Sequence, residues 1–145
     1  MSAIVQKKSI FVIEDNEADA LLIESALSAK DYPQYDVTRF RDGFDAISLL
    51  LNRDRQIPDV ILLDLNMPRS DGLDILHQIR ETPRLTHIPV GILTGSRASV
   101  DESRATLIGA TRFVHKPVVY DEFVDGVRRA VEQMLNQQFV KRANQ

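Results

Sequence analysis

Five short apolar runs alternate with longer segments in which apolar residues recur at helical spacing. Short apolar runs bounded by turn residues predict buried strands. The third and fourth runs are continuously apolar, which is typical of parallel strands covered on both faces, whereas the second is more polar and suits a sheet edge. The predicted strands are Ser9–Glu14, Tyr35–Arg39, Val60–Asp64, Pro89–Thr94 and Thr111–His115.

The first three segments between these runs predict helices with clear ends. The first helix begins after Asn16, a favourable N-cap. The second covers about Gly43–Asn52, and the third follows Gly72 and stops before Thr82, because Pro83 disfavours helix in the residue before it. The stripe that we expect the first helix to bury consists of Ala18, Leu21, Leu22, Ser25, Ala26 and Ala29.

The last two helices differ in the apolar surface that they offer. The fourth begins with a capping box from Ser99 to Glu102 and ends at Gly109. Its apolar face is thin, so we expect weak packing, and it consists of Val100, Ala105, Leu107 and Ile108. The fifth covers about Tyr120–Phe139, and its clear apolar stripe consists of Phe123, Val124, Val127, Val131, Met134 and Leu135.

The alternation of strands and helices predicts an α/β fold with a parallel sheet and helices on both faces. Right-handed crossovers leave few arrangements, and for five strands we expect the flavodoxin-like doubly wound order 2-1-3-4-5. In that order the first and third strands are neighbours, and the crevice for ligands lies at their carboxyl ends. These units use the chain to about residue 139, so we expect one domain.

Composition excludes several classes of function. The chain has 145 residues, no cysteine and a formal net charge of −3. The lack of cysteine excludes disulfides, thiolate zinc sites and cysteine nucleophiles, and the charge gives no general attraction to nucleic acid or anionic membranes. There is no signal-peptide pattern and no apolar run of the roughly 18 to 20 residues needed to span a membrane. We therefore expect a cytoplasmic protein.

Three carboxylates end the first and third predicted strands. Glu14 and Asp15 follow the first strand and Asp64 ends the third, so they should converge at the crevice. Their mutual repulsion favours a hard divalent cation, and the backbone carbonyl of Asn66 offers a further ligand. Because no histidine lies at these positions, the ligand set favours Mg²⁺, with Mn²⁺ as the second ion.

A hydroxyl and an ammonium group end the fourth and fifth predicted strands. Thr94 and Lys116 suit the oxygens of a phosphoryl group. With a cation on the other side, the charge of a transferring phosphoryl group is balanced, and Asp64 is left as the nucleophile that would form an aspartyl phosphate. Each residue alone also fits an ordinary role in a turn, a strand or a solvated surface, and their joint occurrence at one sheet edge favours the chemical role.

These residues resemble the receiver domain of bacterial two-component response regulators. Thirty residues separate Asp64 from Thr94 and 22 separate Thr94 from Lys116, which is similar to the spacing in that family. The resemblance covers about residues 8–139 as the receiver domain and leaves 140–145 as a C-terminal tail. The matching positions are Glu14-Asp15, Asp59 to Pro68 with Asp64 as phosphoacceptor, Pro68 to Gly72, Thr94 and Lys116-Pro117.

The resemblance implies roles for residues beside these motifs. It implies that Phe113 is the aromatic switch residue, which responds together with Thr94 when the phosphoryl group is present. It also implies that Gly95 and Ser96 border the access to that group. A cis bond between Lys116 and the proline after it is implied as well, because X-Pro bonds adopt cis at low energetic cost.

Three positions depart from the usual pattern of the family. Glu14 stands where aspartate is commoner, and its longer side chain reaches the cation differently. Gly95 stands where alanine or a larger residue is frequent, so the access to the phosphoryl group should be open. Phe113 replaces the frequent tyrosine, which removes a phenolic hydroxyl from the switch but leaves burial of the ring.

The function that the resemblance implies is that of a stand-alone response regulator. Asp64 would accept a phosphoryl group from a histidine kinase, and the surface near the fourth helix would change. Such a protein catalyses its own phosphotransfer and slow autodephosphorylation and is otherwise no enzyme. The alternatives are a magnesium-dependent phosphatase, whose second acid is missing at Asn66, a phosphorelay shuttle without its own output, and a flavodoxin-like electron carrier, whose flavin phosphate Glu14 and Asp15 would repel.

Finer details resemble the small receivers paired with cyanobacterial phytochrome kinases. These are the Glu14-Asp15-Asn16 opening, the Arg41-Asp42-Gly43 turn, the run from Asp64 to Pro68 and the extended last helix. The resemblance implies a sensor histidine kinase, and among these a phytochrome, as partner. It also implies a homodimer through the face formed by the fourth helix, the fifth strand and the fifth helix. We expect no nucleic-acid and no membrane partner.

Overall fold

Five parallel strands form the main sheet in a computed structural model of the protein. The structure describes residues 7–28, 35–68, 70–95, 99–116 and 119–143. The order in the sheet is β2-β1-β3-β6-β7, which confirms the predicted order 2-1-3-4-5 of the five predicted strands. The strands are β1 (Lys8–Ile13), β2 (Tyr35–Phe40), β3 (Val60–Asp64), β4 (Asn66–Met67), β5 (Ser70–Asp71), β6 (Val90–Thr94) and β7 (Arg112–His115).

The short strands β4 and β5 form a separate antiparallel pair that the sequence analysis did not predict. Asn66 pairs with Asp71 in this pair. The carboxylate of Asp71 then accepts a hydrogen bond from the backbone amide of Leu73 at 2.9 Å and caps the next helix. The pair therefore fixes the loop that leaves the end of β3.

The helices begin close to the predicted positions. Asn16 caps the first helix and accepts a hydrogen bond from the backbone amide of Asp19 at 3.0 Å, as predicted. The second helix ends two residues before the predicted end at Asn52, and the fifth continues past the predicted end at Phe139. None of the helices within the described ranges is long and apolar enough to cross a membrane. The helices are α1 (Glu17–Leu27), α2 (Gly43–Leu50), α3 (Gly72–Glu81), α4 (Ser99–Ile108) and α5 (Tyr120–Ala143).

The buried face of α1 differs in part from the predicted stripe. Ala26 is buried and Leu22 is partly buried, as predicted, whereas the prediction was wrong for three exposed residues. Leu21 is 64% exposed, and Ala18 and Ser25 are exposed as well. The middle of this helix, residues 20–23, is apolar at every position, so periodicity alone does not select a face, and packing against the sheet and α5 does. Ala29 lies outside the described residues. The residues that α1 buries are Ala20, Ile23, Ala26 and Leu27.

The packing of α5 follows the prediction, and α4 packs weakly as predicted, but Leu107 was wrongly placed on the buried face of α4. Ala105 is buried in α4, whereas Leu107 is 87% exposed, so the apolar face of α4 is thin. The side chains of Ser99 and Val100 lie outside the described residues, and the capping box stays a prediction. In α5 the predicted stripe is buried, with Leu135 at its margin; its buried members are Phe123, Val124, Val127, Val131 and Met134.

The sheet separates two apolar clusters. On one side α2, α3 and α4 cover strand residues such as Ile13 and Leu63. On the other side α1 and α5 cover the alternate residues, such as Val12 and Leu62. Each large apolar side chain that is fully buried contributes about 1.5–3 kcal/mol. This two-sided core fixes the strand ends at which the polar residues lie.

Candidate functional site

Two acids lie at adjoining strand ends. Glu14 follows β1 and Asp64 ends β3, and these strands are neighbours in which Ile13 pairs with Leu63. Both side chains are buried, with exposed fractions of 0% for Glu14 and 2% for Asp64. Asp15 is partly exposed, and one carboxylate oxygen from each of the three acids lies within 4.8 Å of the others. The structure thus brings together the three acids predicted to bind a metal.

Lys116 contacts this acid cluster through its ammonium group. Its Nζ lies 2.5 Å from Oε1 of Glu14 and 3.2 Å from Oδ2 of Asp64. A third contact, of 2.9 Å, joins Nζ to Oδ2 of Asp19 in the first turn of α1. The backbone amide of Lys116 donates to the carbonyl oxygen of Thr94 at 2.8 Å, which holds the end of β7 beside the end of β6. The two residues predicted to bind phosphoryl oxygens are therefore neighbours.

The groups in this cluster shift one another's pKa. Burial, and then the neighbouring Asp64, raise the pKa of Glu14 to about 9. Burial acts in the same direction on Asp64, but hydrogen bonds with Glu14 and the Asn66 amide, together with the charge of Lys116, hold the pKa of Asp64 below its usual value. Burial opposes the charge of Lys116, yet Glu14, Asp19 and Asp64 raise its pKa. Without a cation, these shifts favour the protonated form of Glu14 and the ionised form of Asp64.

The second oxygen of Glu14 shows that the site fits a cation. Oε2 of Glu14 is buried and has no hydrogen-bond partner among the residues that the structure describes. A buried polar atom without a partner is unfavourable, and a hard divalent cation would satisfy it. The donor atoms are all oxygens, which suits Mg²⁺ or Mn²⁺. The backbone amide of Asn66 donates to Oδ1 of Asp64 at 2.9 Å, while its carbonyl as a metal ligand stays a prediction.

Two residues that contact the site, Arg39 and Asp19, were missed by the sequence analysis. Nε of Arg39 donates to the carbonyl oxygen of Glu14 at 3.1 Å, and Nη2 donates to that of Asp15 at 3.3 Å. Nη1 of Arg39 donates to the carboxylate of Glu17 at 2.8 Å. The available signal for Arg39 was its place near the end of the strand beside β1, and the signal for Asp19 was its place in the first turn after the acids.

Thr94 and Lys116, predicted to bind the phosphoryl group, lie at the ends of β6 and β7, and Phe113, predicted to form the switch with Thr94, lies within β7. Thr94 ends β6 and is 1% exposed. Gly95 is exposed, and a Cβ atom there would meet none of the described residues within 4 Å. Phe113 is partly buried against the cluster on the side of α2, α3 and α4. Ser96 and Pro117 lie outside the described residues, and so does the predicted cis bond.

His115, the residue before Lys116, points to α4. Its Nε2 lies 3.1 Å from Oε1 of Glu102, and the two side chains are 48% and 32% exposed. His115 is therefore not one of the groups that contact the acid cluster. It joins the end of β7 to the helix whose packing is thin.

Comparison with known sequences identifies one family. The model of the response regulator receiver domain matches residues 10–138 of the chain. The polar-differentiation response regulator DivK of Brucella anthropi is 30% identical over 121 residues, which cover 83% of this chain and 94% of that protein. DivK of Brucella ovis is 29% identical over the same shares of the two chains.

Solved structures of three response regulators are similar to this one. The phosphorylated cyanobacterial phytochrome response regulator RcpA has a TM-score of 0.82 at 32% identity, and the match covers 91% of this chain and 96% of that chain. The Mn²⁺-bound response regulator Rcp1 has a TM-score of 0.77 at 28% identity, covering 84% and 90%. The bacteriophytochrome response regulator AtBRR has a TM-score of 0.70 at 34% identity, covering 91% and 94%.

Proposed function

Because the chain belongs to the response regulator receiver domain family, we propose that Asp64 is the aspartate that receives its phosphoryl group. Receiver domains are signalling modules that interact with sensor histidine kinases and are phosphorylated on an aspartate. The observation that carries the assignment is the position of Asp64 at the end of β3. Its Oδ2 lies 3.2 Å from Nζ of Lys116, and its Oδ1 accepts the Asn66 amide at 2.9 Å. Both oxygens are therefore held in place.

The proposed transfer exchanges one bond to phosphorus for another. A carboxylate oxygen of Asp64 forms a bond to phosphorus, and the bond between phosphorus and the kinase histidine nitrogen breaks, with its electron pair leaving on that nitrogen. The low pKa of Asp64 keeps the nucleophile ionised. Lys116 and Thr94 would bind the phosphoryl oxygens, because an ammonium and a hydroxyl group donate hydrogen bonds to them.

We propose that Mg²⁺, or Mn²⁺ in its place, binds at the acid cluster. Glu14, Asp15, Asp64 and the backbone carbonyl of Asn66 would hold it. The support is the 4.8 Å grouping of the three carboxylates and the unpartnered Oε2 of Glu14. A similar protein, Rcp1, has a structure in its Mn²⁺-bound form. When bound, the cation offsets the negative charge that accumulates as a phosphoryl group meets the carboxylates.

The proposed readout of phosphorylation is a change at α4. Thr94 would move toward the phosphoryl group, and Phe113 would bury its ring more deeply behind it. Ala105 is the buried side chain among residues 101–108, and an element with so few buried contacts is the one that a local change can shift. Gly95 and Ser96 would border the access of water, so that slow autodephosphorylation is the reaction that resets the protein.

No observation favours the other functions considered from the sequence. The phosphatase pattern requires an acid at the position of Asn66, and a flavin phosphate would meet the carboxylates of Glu14 and Asp15. A phosphorelay shuttle would use the same chemistry at Asp64 and would differ in the next acceptor. The receiver function therefore agrees best with the site.

Two proposals concern partners. The phytochrome response regulators among the similar structures support a phytochrome-type histidine kinase as the donor for this chain. A homodimer through α4, β7 and α5 is supported by apolar side chains that are exposed on α4 and around the start of α5. We take residues 8–139 as the receiver domain and 140–145 as a tail. The exposed residues are Leu107, Val119 and Tyr120.

Phosphorylation by a small acyl phosphate tests the assignment of Asp64. The protein is incubated with acetyl phosphate and Mg²⁺, and its intact mass is measured; we expect one added phosphoryl group. Asp64→Asn should give no adduct, since an amide lacks the nucleophilic oxygen anion. The matched control Asp74→Asn removes an exposed acid of α3 and should be phosphorylated like the wild type. An adduct that persists in Asp64→Asn would refute the assignment.

A further inference from the structure

Asp19 lies outside the acid cluster, yet it contacts Lys116, the lysine that pairs with two acids of that cluster. Its Oδ2 is 2.9 Å from Nζ of Lys116, and its side chain is 28% exposed. Its backbone amide donates a hydrogen bond to Oδ1 of Asn16 at 3.0 Å, which fixes the backbone of Asp19 in the first turn of α1. The contact joins α1 to the residue that follows β7, and none of the roles assigned so far uses it.

The ammonium group of Lys116 has three N–H bonds and three carboxylate partners. Oε1 of Glu14, Oδ2 of Asp64 and Oδ2 of Asp19 lie 2.5, 3.2 and 2.9 Å from Nζ. Because an ammonium group offers three donors, these contacts leave none for a phosphoryl oxygen. Lys116 must therefore give up at least one carboxylate when the phosphoryl group enters the site.

Cation binding and phosphorylation weaken two of the three contacts that Lys116 makes with carboxylates. A cation at the acid cluster draws on the oxygens of Glu14 and Asp64, and phosphorylation turns the Asp64 carboxylate into an acyl phosphate with less charge on its own oxygens. Asp19 is not part of that cluster. Neither event changes the Asp19 carboxylate itself, which therefore still attracts Nζ when the phosphoryl group is present.

We propose that Asp19 is a positioning residue that competes with the phosphoryl group for Lys116 and thereby lowers the affinity of the site for that group. The proposal rests on the assignment of Asp64 and Lys116 made above. Asp19 acts through Lys116 and does not touch the reacting atoms. Its removal should strengthen the contact between Lys116 and the phosphoryl oxygens, whereas loss of Lys116 itself would weaken binding.

Asp19→Asn tests this competition because it removes the charge and keeps the shape. Calorimetric titration with beryllofluoride in the presence of Mg²⁺ should show a Kd that is about three- to fivefold lower than that of the wild type, the effect of one partly exposed charge pair. With acetyl phosphate, the half-saturating concentration should fall while the maximal rate stays unchanged. Titration with Mg²⁺ alone should give the same Kd in both proteins, because Asp19 does not bind the cation.

A matched control separates the contact from a general effect of charge. Glu24→Gln removes one carboxylate from the same helix, at a residue that is not a partner of Lys116, and should leave all three titrations unchanged. Urea titration checks that both variants fold, and Asp19→Ala repeats the test without a polar side chain.

The outcomes distinguish this proposal from the proposed function. If the wild type binds beryllofluoride but Asp19→Asn and Asp19→Ala bind it equally well or more weakly, the competition is refuted and the receiver function stands. If Glu24→Gln gains affinity as much as Asp19→Asn, the contact with Lys116 is not the cause and the proposal fails. If the wild type neither binds beryllofluoride nor accepts a phosphoryl group, the proposed function is wrong, and the role of Asp19 falls with it.

Discussion

Arg39 donates a hydrogen bond from Nε to the carbonyl oxygen of Glu14 at 3.1 Å. The same guanidinium group reaches the carbonyl oxygen of Asp15 and the carboxylate of Glu17. Its side chain is 13% exposed, and its bonds to the two carbonyl oxygens are partly buried, whereas its bond to Glu17 is exposed. Arg39 thus holds the backbone of the two residues that precede α1 and provide carboxylates to the proposed cation site.

This arrangement predicts that Arg39→Met weakens cation binding. The variant leaves two carbonyl oxygens without their donor, and the acidic loop becomes free to move. Loss of a residue that orients metal ligands typically lowers metal affinity by about tenfold or more, and we expect that change in the Kd for Mg²⁺. Calorimetric titration measures it. Arg41→Met is the matched control, because Arg41 also pairs with Glu17 but is 72% exposed, and it should bind Mg²⁺ like the wild type.

The site residues differ in how far the sequence could predict them. Glu14, Asp64 and Thr94 each follow an apolar run, and because parallel strands end at one edge of the sheet, their meeting followed from strand order. The contacts of Arg39 and Asp19 could not be found in this way. Each joins a side chain to a residue on another element, and the geometry depends on how α1 and β2 pack rather than on any local pattern.

Some features of the fold could likewise be predicted from the sequence, and others could not. The strand order was predictable because the continuous apolar runs require cover on both faces. The face of α1 was not, since Leu21 and Ile23 are equally apolar and the sequence does not show which of them meets the core. The pair of β4 and β5 was also missed, because two-residue strands carry no periodicity.

The raised pKa of Glu14 predicts how the stability of the metal-free protein depends on pH. Its pKa is about 9 in the folded chain against a usual value of 4.5, so between these values the folded state holds a proton that the unfolded state lacks. The resulting stabilisation is complete below pH 4.5 and is lost as the pH rises to about 9. The lowered pKa of Asp64 changes the stability only below pH 3.8, and the raised pKa of Lys116 changes it only above pH 10.5. Both effects lie outside the range from pH 4.5 to about 9.

Urea titrations with a chelator at about pH 5, 7 and 9 should therefore show a falling free energy of unfolding. Glu14→Gln has no group to titrate and should show a flatter dependence. In the wild type, saturating Mg²⁺ should stabilise the protein most at high pH, because a metal binds the ionised carboxylate and displaces its proton. A slope that is equally steep in Glu14→Gln would show that another group causes it.

The proposed homodimer predicts that Leu107→Glu yields a monomer. Leu107 is 87% exposed on α4, and burial of such a side chain in an interface contributes about 1.5–3 kcal/mol, which a buried unpaired carboxylate would reverse. Light scattering at matched concentrations measures the mass. Leu21→Glu places the same charge on α1, where Leu21 is 64% exposed and outside the proposed face, and should keep the mass of the wild type. A monomeric wild type would exclude the dimer.

Gly72 and Gly95 differ in what an added methyl group would meet, although both lie beside the site. A Cβ atom at Gly72 would lie 2.7 Å from Cα of Leu65 and 2.8 Å from the carbonyl oxygen of Asp64, and these backbone atoms cannot give way without moving Asp64. We expect Gly72→Ala to lower the free energy of unfolding by about 1–3 kcal/mol and to weaken binding of Mg²⁺.

Gly95→Ala is the control for that substitution, because none of the described residues lies within 4 Å of the new methyl group. Its backbone does not lie in the positive-φ region, so alanine fits, and the free energy of unfolding should change by less than about 1 kcal/mol. Urea titration of both variants measures the difference, and titration with Mg²⁺ shows whether Asp64 has moved. Equal losses of stability in the two variants would mean that the close approach of Gly72 to Asp64 is not what fixes the end of β3.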